Sequence, residues 1–364
     1  MNDLDDLRLR IRDLDERILQ LVRERMDHAG RIGRIKKTQG VPLRDWQVER
    51  AVLDNADRVA AAIGLPRQLA RGVMQLLIAE SRVEQERQTY SEYTGAAQSI
   101  LIIGGCGKMG RWFADFFTNQ AHRVEVYDIA SPPVAPGRSA SLEVALQDVS
   151  FALIATPLET VPTIIDKLAT ARYPGVAFDI ASLKGHLKPA IARARDAGLS
   201  LTSIHPMFGP TTRALSDQVI CVCDCGHSEA TRQVRAFFSD TAVTLVDLSL
   251  DEHDRIASYV LGLSHLINIL FTRVLMRGGD RFETLNRVGS TTFHSQMASS
   301  ASVIQENPDL YYSIQRLNSF TAQLYEAIGR EFEALTQSVL HADRRAFGEM
   351  MTQGSRWLTG APAD

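Results

Sequence analysis

The stretch SILIIGGCGKMGRWFADFF, residues 99–117, limits the possible folds of this chain more than any other. An apolar run ends in Gly105, Gly107 and Gly110, spaced G-x-G-x-x-G, and a helical pattern follows. Glycines at these places permit a tight strand-to-helix turn. They also let backbone N–H groups approach a pyrophosphate at the helix N-terminus. A second apolar run, RVEVYDIA, carries Asp128, 18 residues after Gly110. A carboxylate at that distance accepts from a ribose 2′-hydroxyl, which favours NAD over NADP. The pattern predicts an NAD site formed by Gly105, Gly107, Lys108, Met109, Gly110 and Asp128. Units of this kind commonly open the domain they serve, yet about a hundred residues precede this one.

Those residues read as helices. Leu4, Leu7, Ile11, Leu14, Ile18 and Leu21 recur at alternating steps of three and four, a helical stripe. No proline occurs before Pro42, so one helix can run from about Asp3 to Lys37. At 1.5 Å per residue it is about 50 Å long. It overhangs any compact unit that ninety residues can build, and a second copy of the chain is the simplest cover for its stripe. VPLRDWQVERAVLDNADRVAAAIG and LPRQLARGVMQLLIAESRVEQER supply two further helices, separated by Gly64 and Pro66. Arg25 and Lys36 share a helix face, as do Ser81 and Gln85, whereas Arg8 is about 100° from Arg25, cannot join it within one straight helix and could reach a site on a partner chain. By spacing alone these polar residues read as a solvated face.

The segments LRLRIRDLDERILQLVRERMDHAGRIGRIKK, PLRDWQVER and LIAESRVEQ resemble the all-helical chorismate mutases, intertwined dimers that rearrange chorismate to prephenate. The resemblance covers nearly all of residues 1–90. It implies that Arg25, with Arg8 from the partner chain, binds the substrate carboxylates. It implies that Lys36 and Gln85 bind the ether oxygen and that Asp45, Glu49 and Ser81 surround the ring and its C4 hydroxyl. The reaction is a pericyclic shift without a nucleophile. Its site must hold a dianion in a compact conformer and stabilise charge growing on the ether oxygen, tasks that suit cations and an amide. Family members commonly carry an arginine where this chain has Val48.

After EQERQTYSEYTGAAQ, a polar stretch that reads as a linker or the frayed end of the third helix, the strands SILIIGG, RVEVYDIA, VSFALIATP, GVAFDIAS, LSLTSIHPMFGP and QVICVCD alternate with helices, which predicts a doubly wound α/β sheet. Ligands sit beyond the carboxyl ends of such strands, and Pro157, Ser182, Lys184 and His205 are expected just past strand ends. Cys221, Cys223, Cys225 and His227 could suggest a metal. However, alternate residues on a strand stand about 7 Å apart, and CVCDC reads instead as a strand with small apolar residues on one face. No metal is expected, and disulfides are not expected in a cytosolic chain.

This stretch resembles prephenate dehydrogenase through IIGGCGKMGRWF, DIASLKG and HPMFGP. The family takes a hydride from prephenate with loss of CO2, yielding 4-hydroxyphenylpyruvate and NADH. The resemblance implies that His205 accepts the proton of the 4-hydroxyl and that Ser182 lies near that hydroxyl and the nicotinamide. Pro157 belongs to the cofactor site, and Lys184 lends charge to substrate binding. From Asp251 the chain turns helical, and the resemblance makes this part the dimerisation domain. His265 matches a substrate-pocket histidine, while His253 reads as structural. Where the bifunctional enzymes carry an arginine for a substrate carboxylate, the matching residue is His294, with Arg287 seven residues earlier placed to compensate.

The expected organisation is therefore multidomain: an all-α mutase-type unit at 1–90, a Rossmann-type α/β unit at 99–250 and an all-α unit at 251–364. The expected function is a bifunctional chorismate mutase–prephenate dehydrogenase of tyrosine synthesis, using NAD as a homodimer. Two alternatives stand beside it. One applies the same reactions to 4-amino-4-deoxychorismate and 4-amino-4-deoxyprephenate, because Val48 and His294 each remove a cation and an amine tolerates fewer cations nearby. The other is a non-catalytic ligand-sensing dimer. A net charge of -3 gives no basic surface for nucleic acid. The charged N-terminus lacks a secretory core, and no stretch reads as a membrane span, so a cytoplasmic location is expected.

Overall fold

The computed structural model describes residues 3–39, 41, 45–90, 95–130 and 141–360. Residues 42–44 of the expected second helix and 91–94 of the expected linker lie outside them. The chain divides into two compact units, Met1–Leu250 and Asp251–Asp364.

In the first unit, α1 (Asp3–Thr38), α2 (Trp46–Ile63) and α3 (Arg67–Tyr90) come first. Helix α1 has 36 residues, close to the span expected from its proline-free stripe. Its N-terminal half finds no cover among the described residues: Ile11 is 58% and Ile18 57% exposed. Its C-terminal half packs on α3, where Gly33 permits close approach, since a Cβ there would lie 3.0 Å from the Gln85 Cα. Gly64 ends α2 in the left-handed region, at φ 72°, where glycine carries no Cβ penalty.

The sheet contains β1 (Ser99–Ile103), β2 (Arg123–Tyr127), β3 (Phe151–Ile154), β4 (Val176–Asp179), β5 (Ser200–Pro206), β6 (Val219–Asp224) and β7 (Thr244–Asp247). Its order is β2-β1-β3-β4-β5-β6-β7. All pairs are parallel except β5 with β6, which are antiparallel. The six expected strands are present, and β7 is an addition: TLVD is short and mostly exposed, a weak apolar signal. The helices are α4 (Lys108–Asn119), α5 (Leu142–Ala145), α6 (Val161–Thr170), α7 (Lys188–Asp196) and α8 (Ser228–Ala236). Phe113, Phe116 and Phe117 of α4 meet Phe151, Phe178, Phe237 and Phe238 in one aromatic core. His122 packs edge-on against Phe117 and Phe237, and burial pushes its pKa down. The neutral ring accepts from the Gln98 N–H at 3.0 Å.

Two expectations about strand geometry need correction. His205 lies within β5 rather than past it, because the antiparallel partner extends the pairing to Pro206 opposite Ile220. The cysteine strand is covered on both faces, since it lies inside the sheet: Ile220, Cys221, Val222 and Cys223 are all buried. Burial raises the thiol pKa of Cys221 and Cys225, which disfavours the thiolate that a metal requires.

The second unit is helical. Its elements are α9 (Leu250–Ala257), a π-helical segment (Ser258–Leu263), α10 (Ser264–Arg277), α11 (Phe282–Val288), α12 (Thr291–Ile304), α13 (Pro308–Leu317), α14 (Thr321–Leu340) and α15 (Arg344–Thr359). The Gln315 amide donates to the Gly262 carbonyl in the π segment, at 2.9 Å. Leu250–Arg277 is continuous, with a mean hydropathy of 1.5 in its most apolar part. Contrary to the sequence reading, it is long and apolar enough to cross a bilayer by length and composition. Most of its charges, Asp251 to Arg255, cluster in the first two turns, and Arg273 and Arg277 lie near its end, which leaves a long apolar stretch between.

Candidate active sites

The N-terminal helices enclose a cavity of about 350 Å³ lined by Arg25, Lys36, Asp45, Glu49, Ser81 and Gln85. These residues were singled out on three separate helices, and the fold brings them to one place. Arg25 is half-buried, and burial lowers its pKa below the ordinary arginine range but leaves it a cation at neutral pH. Its Nη1 donates to the Leu77 carbonyl at 2.7 Å and to the Ser81 hydroxyl. Ser81 Oγ donates to the same carbonyl at 2.6 Å, so α3 fixes the guanidinium. Asp45 caps α2, accepting from the N–H groups of Gln47 at 3.0 Å and Val48 at 3.2 Å. Arg8 stands apart on the exposed half of α1, 3.4 Å from Asp5. Val48 lines the cavity, as do His28 and Arg82, which sequence reasoning passed over.

Helix α3 also binds the loop between β5 and β6. Arg82 pairs with Asp217 and stands 3.8 Å from Glu49. Glu86, 1% exposed, accepts the backbone N–H groups of Leu215 at 2.5 Å and Ser216 at 2.7 Å. On the other side, Trp112 of α4 donates to the Thr212 carbonyl at 2.9 Å and packs on Phe208. The loop that follows His205 is thus held from both directions. Glu86 had one sequence signal, its place four residues after Arg82 on a single helix face.

At the glycine turn the backbone itself forms the cradle. A Cβ on Gly110 would lie 2.4 Å from the Gly104 carbonyl oxygen, and one on Gly105 would lie 2.6 Å from Val126. Gly104, which the motif does not include, has φ +88° and would press on the Ala155 carbonyl. Gly107 caps α4, with Lys108 and Met109 in its first turn. Asp128 reaches this turn, accepting from the Cys106 N–H at 2.8 Å and the Ala130 N–H at 2.9 Å. Pro157 caps a short turn beyond β3. The open cradle and the carboxylate at its edge fit a dinucleotide: N–H groups at the helix start for the pyrophosphate, Asp128 for a ribose.

Lys184 is buried rather than open to a ligand. Its ammonium donates to Asp179 Oδ1 at 2.9 Å and to the Ile204 carbonyl at 2.8 Å. Asp179 Oδ1 also accepts from the Ala181 N–H at 2.9 Å. The pair therefore ties the end of β4 to the residue preceding His205. Ser182, between these groups in sequence, is half-buried, and His205 is 5% exposed.

In the second unit, His265 is buried against the Tyr311 ring, with centroids 4.2 Å apart. Burial pushes its pKa down to about 4, so the ring is neutral at pH 7. Its Nδ1 is buried without a hydrogen-bond partner among the described residues, as an atom awaiting a ligand would be. His253 Nδ1 bonds Asp254 Oδ1 at 2.9 Å in the interior, a packing role. His294 and Arg287 are exposed. Beside His265 an apolar groove of about 810 Å³ is lined by Leu266, Ile269, Tyr311 and Tyr325.

Comparison with known proteins matches two family descriptions: "Chorismate mutase type II" over residues 7–86 and "Prephenate dehydrogenase, dimerization domain" over residues 249–353. The chain is 23% identical to the T-protein of Enterobacter agglomerans, over 98% of this chain and 93% of that one. It is 21% identical to the T-protein of Haemophilus influenzae, with the same coverage. A crystal structure of prephenate dehydrogenase from A. aeolicus, in complex with hydroxyphenyl propionate and NAD+, superposes with a TM-score of 0.60 at 16% identity. It covers 73% of this chain and 99% of its own, a likeness in fold. With a mutase module before the sheet, a dehydrogenase module after it and relatives matched nearly end to end, this chain belongs to the bifunctional chorismate mutase–prephenate dehydrogenase family.

Proposed function

We propose that the chain rearranges chorismate to prephenate in its N-terminal helices and oxidatively decarboxylates prephenate to 4-hydroxyphenylpyruvate, with NAD, in the remainder. The observation that carries this reading is the cavity uniting Arg25, Lys36, Ser81 and Gln85, in the same chain as a glycine cradle edged by Asp128. In the mutase step Arg25, held by Leu77 and Ser81, binds a substrate carboxylate. Lys36 and Gln85 face the ether oxygen and stabilise its growing negative charge. Arg8 comes from a second copy, whose α1 covers the exposed stripe; the dimer is completed by the apolar groove beside His265.

In the dehydrogenase step Gly105, Gly107, Lys108, Met109 and Gly110 hold NAD, Asp128 its ribose, and Pro157 borders the site. NAD supplies the hydride acceptor when bound. His205, fixed in β5 and steadied through the Lys184 bond to Ile204, takes the proton from the 4-hydroxyl. Lys184 acts through this bond rather than by touching substrate. Ser182 bonds the same hydroxyl, neutral His265 offers a hydrogen bond, and His294 and Arg287 are the candidates for the substrate carboxylate. The domains follow the chemistry, 1–90, 99–250 and 251–364, and a cytoplasmic enzyme is the corresponding location. Leu250–Arg277 belongs to the dimer, not to a membrane. The test supplies chorismate and NAD together and follows chorismate loss and NADH gain. Turnover of neither contradicts the reading, and a strong preference for the 4-amino substrates would move it to the amino series.

A further inference from the structure

We propose that Arg82 is the third substrate-binding cation of the mutase cavity, supplied by α3 where α2 presents Val48. The inference rests on the functional reading above. Among the described residues, the cavity's cations are Arg25, Lys36 and Arg82, its carboxylates Asp45 and Glu49, and His28 also faces it. Without Arg82, the two remaining cations would be balanced by the two carboxylates, and among the described lining residues a dianion would find no net attraction other than any from His28. With Arg82, the residues that line the cavity carry one net positive charge, and the Asp217 carboxylate that pairs with Arg82 stands outside that lining. Arg82 follows Ser81 directly, so it starts from the same turn that fixes Arg25. Both of its contacts, to Glu49 and Asp217, run through Nη1. A guanidinium carries further N–H donors on Nε and Nη2, and these can reach a carboxylate while Nη1 keeps its partner. Its position 3.8 Å from Glu49 also screens the carboxylate that would otherwise repel the substrate.

This placement bears on the choice of substrate. Val48 is 56% exposed, apolar and on the same cavity wall, so the charge missing from α2 is present on α3. The mutase half then has no deficit of positive charge, and the case for an amine-bearing substrate loses one of its two supports.

The test measures steady-state kinetics on full-length Arg82→Ala, Arg82→Lys and the double variant Arg82→Ala, Val48→Arg. The expected result is a KM for chorismate raised tenfold or more in Arg82→Ala, partly recovered in Arg82→Lys and in the double variant. NADH production from prephenate should fall far less than the mutase activity, because Glu86 and Trp112 still hold the loop that Asp217 belongs to. The mutase kcat/KM of the wild type should fall more steeply with salt than that of Arg82→Ala. An unchanged KM in Arg82→Ala overturns the proposal. So does an equal loss of both activities that neither lysine nor the second-site arginine repairs, which would make Arg82 only a tie between α3 and the Asp217 loop. A wild type that leaves chorismate untouched contradicts the functional reading itself.

Discussion

The two candidate sites are built on opposite plans. The mutase cavity is a set of charged side chains leaning from three helices, half-exposed, with one expected member, Arg8, out on an uncovered stretch of α1. The dehydrogenase site is set into a sheet: His205 is paired within β5, the carbonyl before it is held by a buried ammonium, and a loop clamped from two sides follows it. The difference matches the chemistries. A pericyclic shift needs charge and shape, which exposed cations and a second copy can supply. Hydride loss from a carbon and proton loss from its hydroxyl need a base and a cofactor held within a few tenths of an ångström, and a sheet provides that rigidity.

Variants that break one plan should leave the other standing. The largest effect expected is on Lys36→Met, which should lower mutase kcat about a thousandfold, the cost of removing one donor to a developing oxyanion. Assays with prephenate and NAD should show this variant unchanged. Lys184→Met leaves Asp179 buried without its cation, and should cost about 3 kcal/mol of stability in denaturant unfolding. That loss should appear in the sheet-containing unit and reduce NADH production through misplacement of His205.

The pH dependence is next. His265 is held below its ordinary 6.5, at about 4, so the unfolded chain binds the extra proton first. Its contribution is complete above about pH 6.5 and is lost as pH falls towards 4, by about 2–3 kcal/mol. His265→Asn should flatten stability against pH over that window; an unaltered slope would show that the histidine is not buried as described. The smallest effect belongs to Asp128→Ala. It should weaken NAD binding about tenfold, the scale of one charged hydrogen bond, and narrow the margin over NADP in a binding titration.

Periodic and local features were legible in the sequence. The α1 stripe gave the long helix nearly to its ends, and the glycine spacing gave the cradle, because both depend on neighbours in the chain. The mutase residues became a site only through resemblance to a family, since helical phase places residues on faces but not helices on one another. What escaped was set by tertiary contact. Lys184 looked like a ligand-facing cation, yet pairs with Asp179 in the interior. Arg82 and Glu86 were not singled out from the sequence, yet one lines the cavity and the other anchors a loop 129 residues away. His205 was expected past its strand, and only the antiparallel β6 explains why it is not.

The central claim is that one chain holds two separable sites acting in sequence. His205→Asn, given chorismate and NAD together, tests it most directly. The account predicts that chorismate disappears at the wild-type rate, prephenate accumulates in its place, and NADH does not form. Equal loss of chorismate consumption and NADH formation in this variant, with the fold intact, would contradict it.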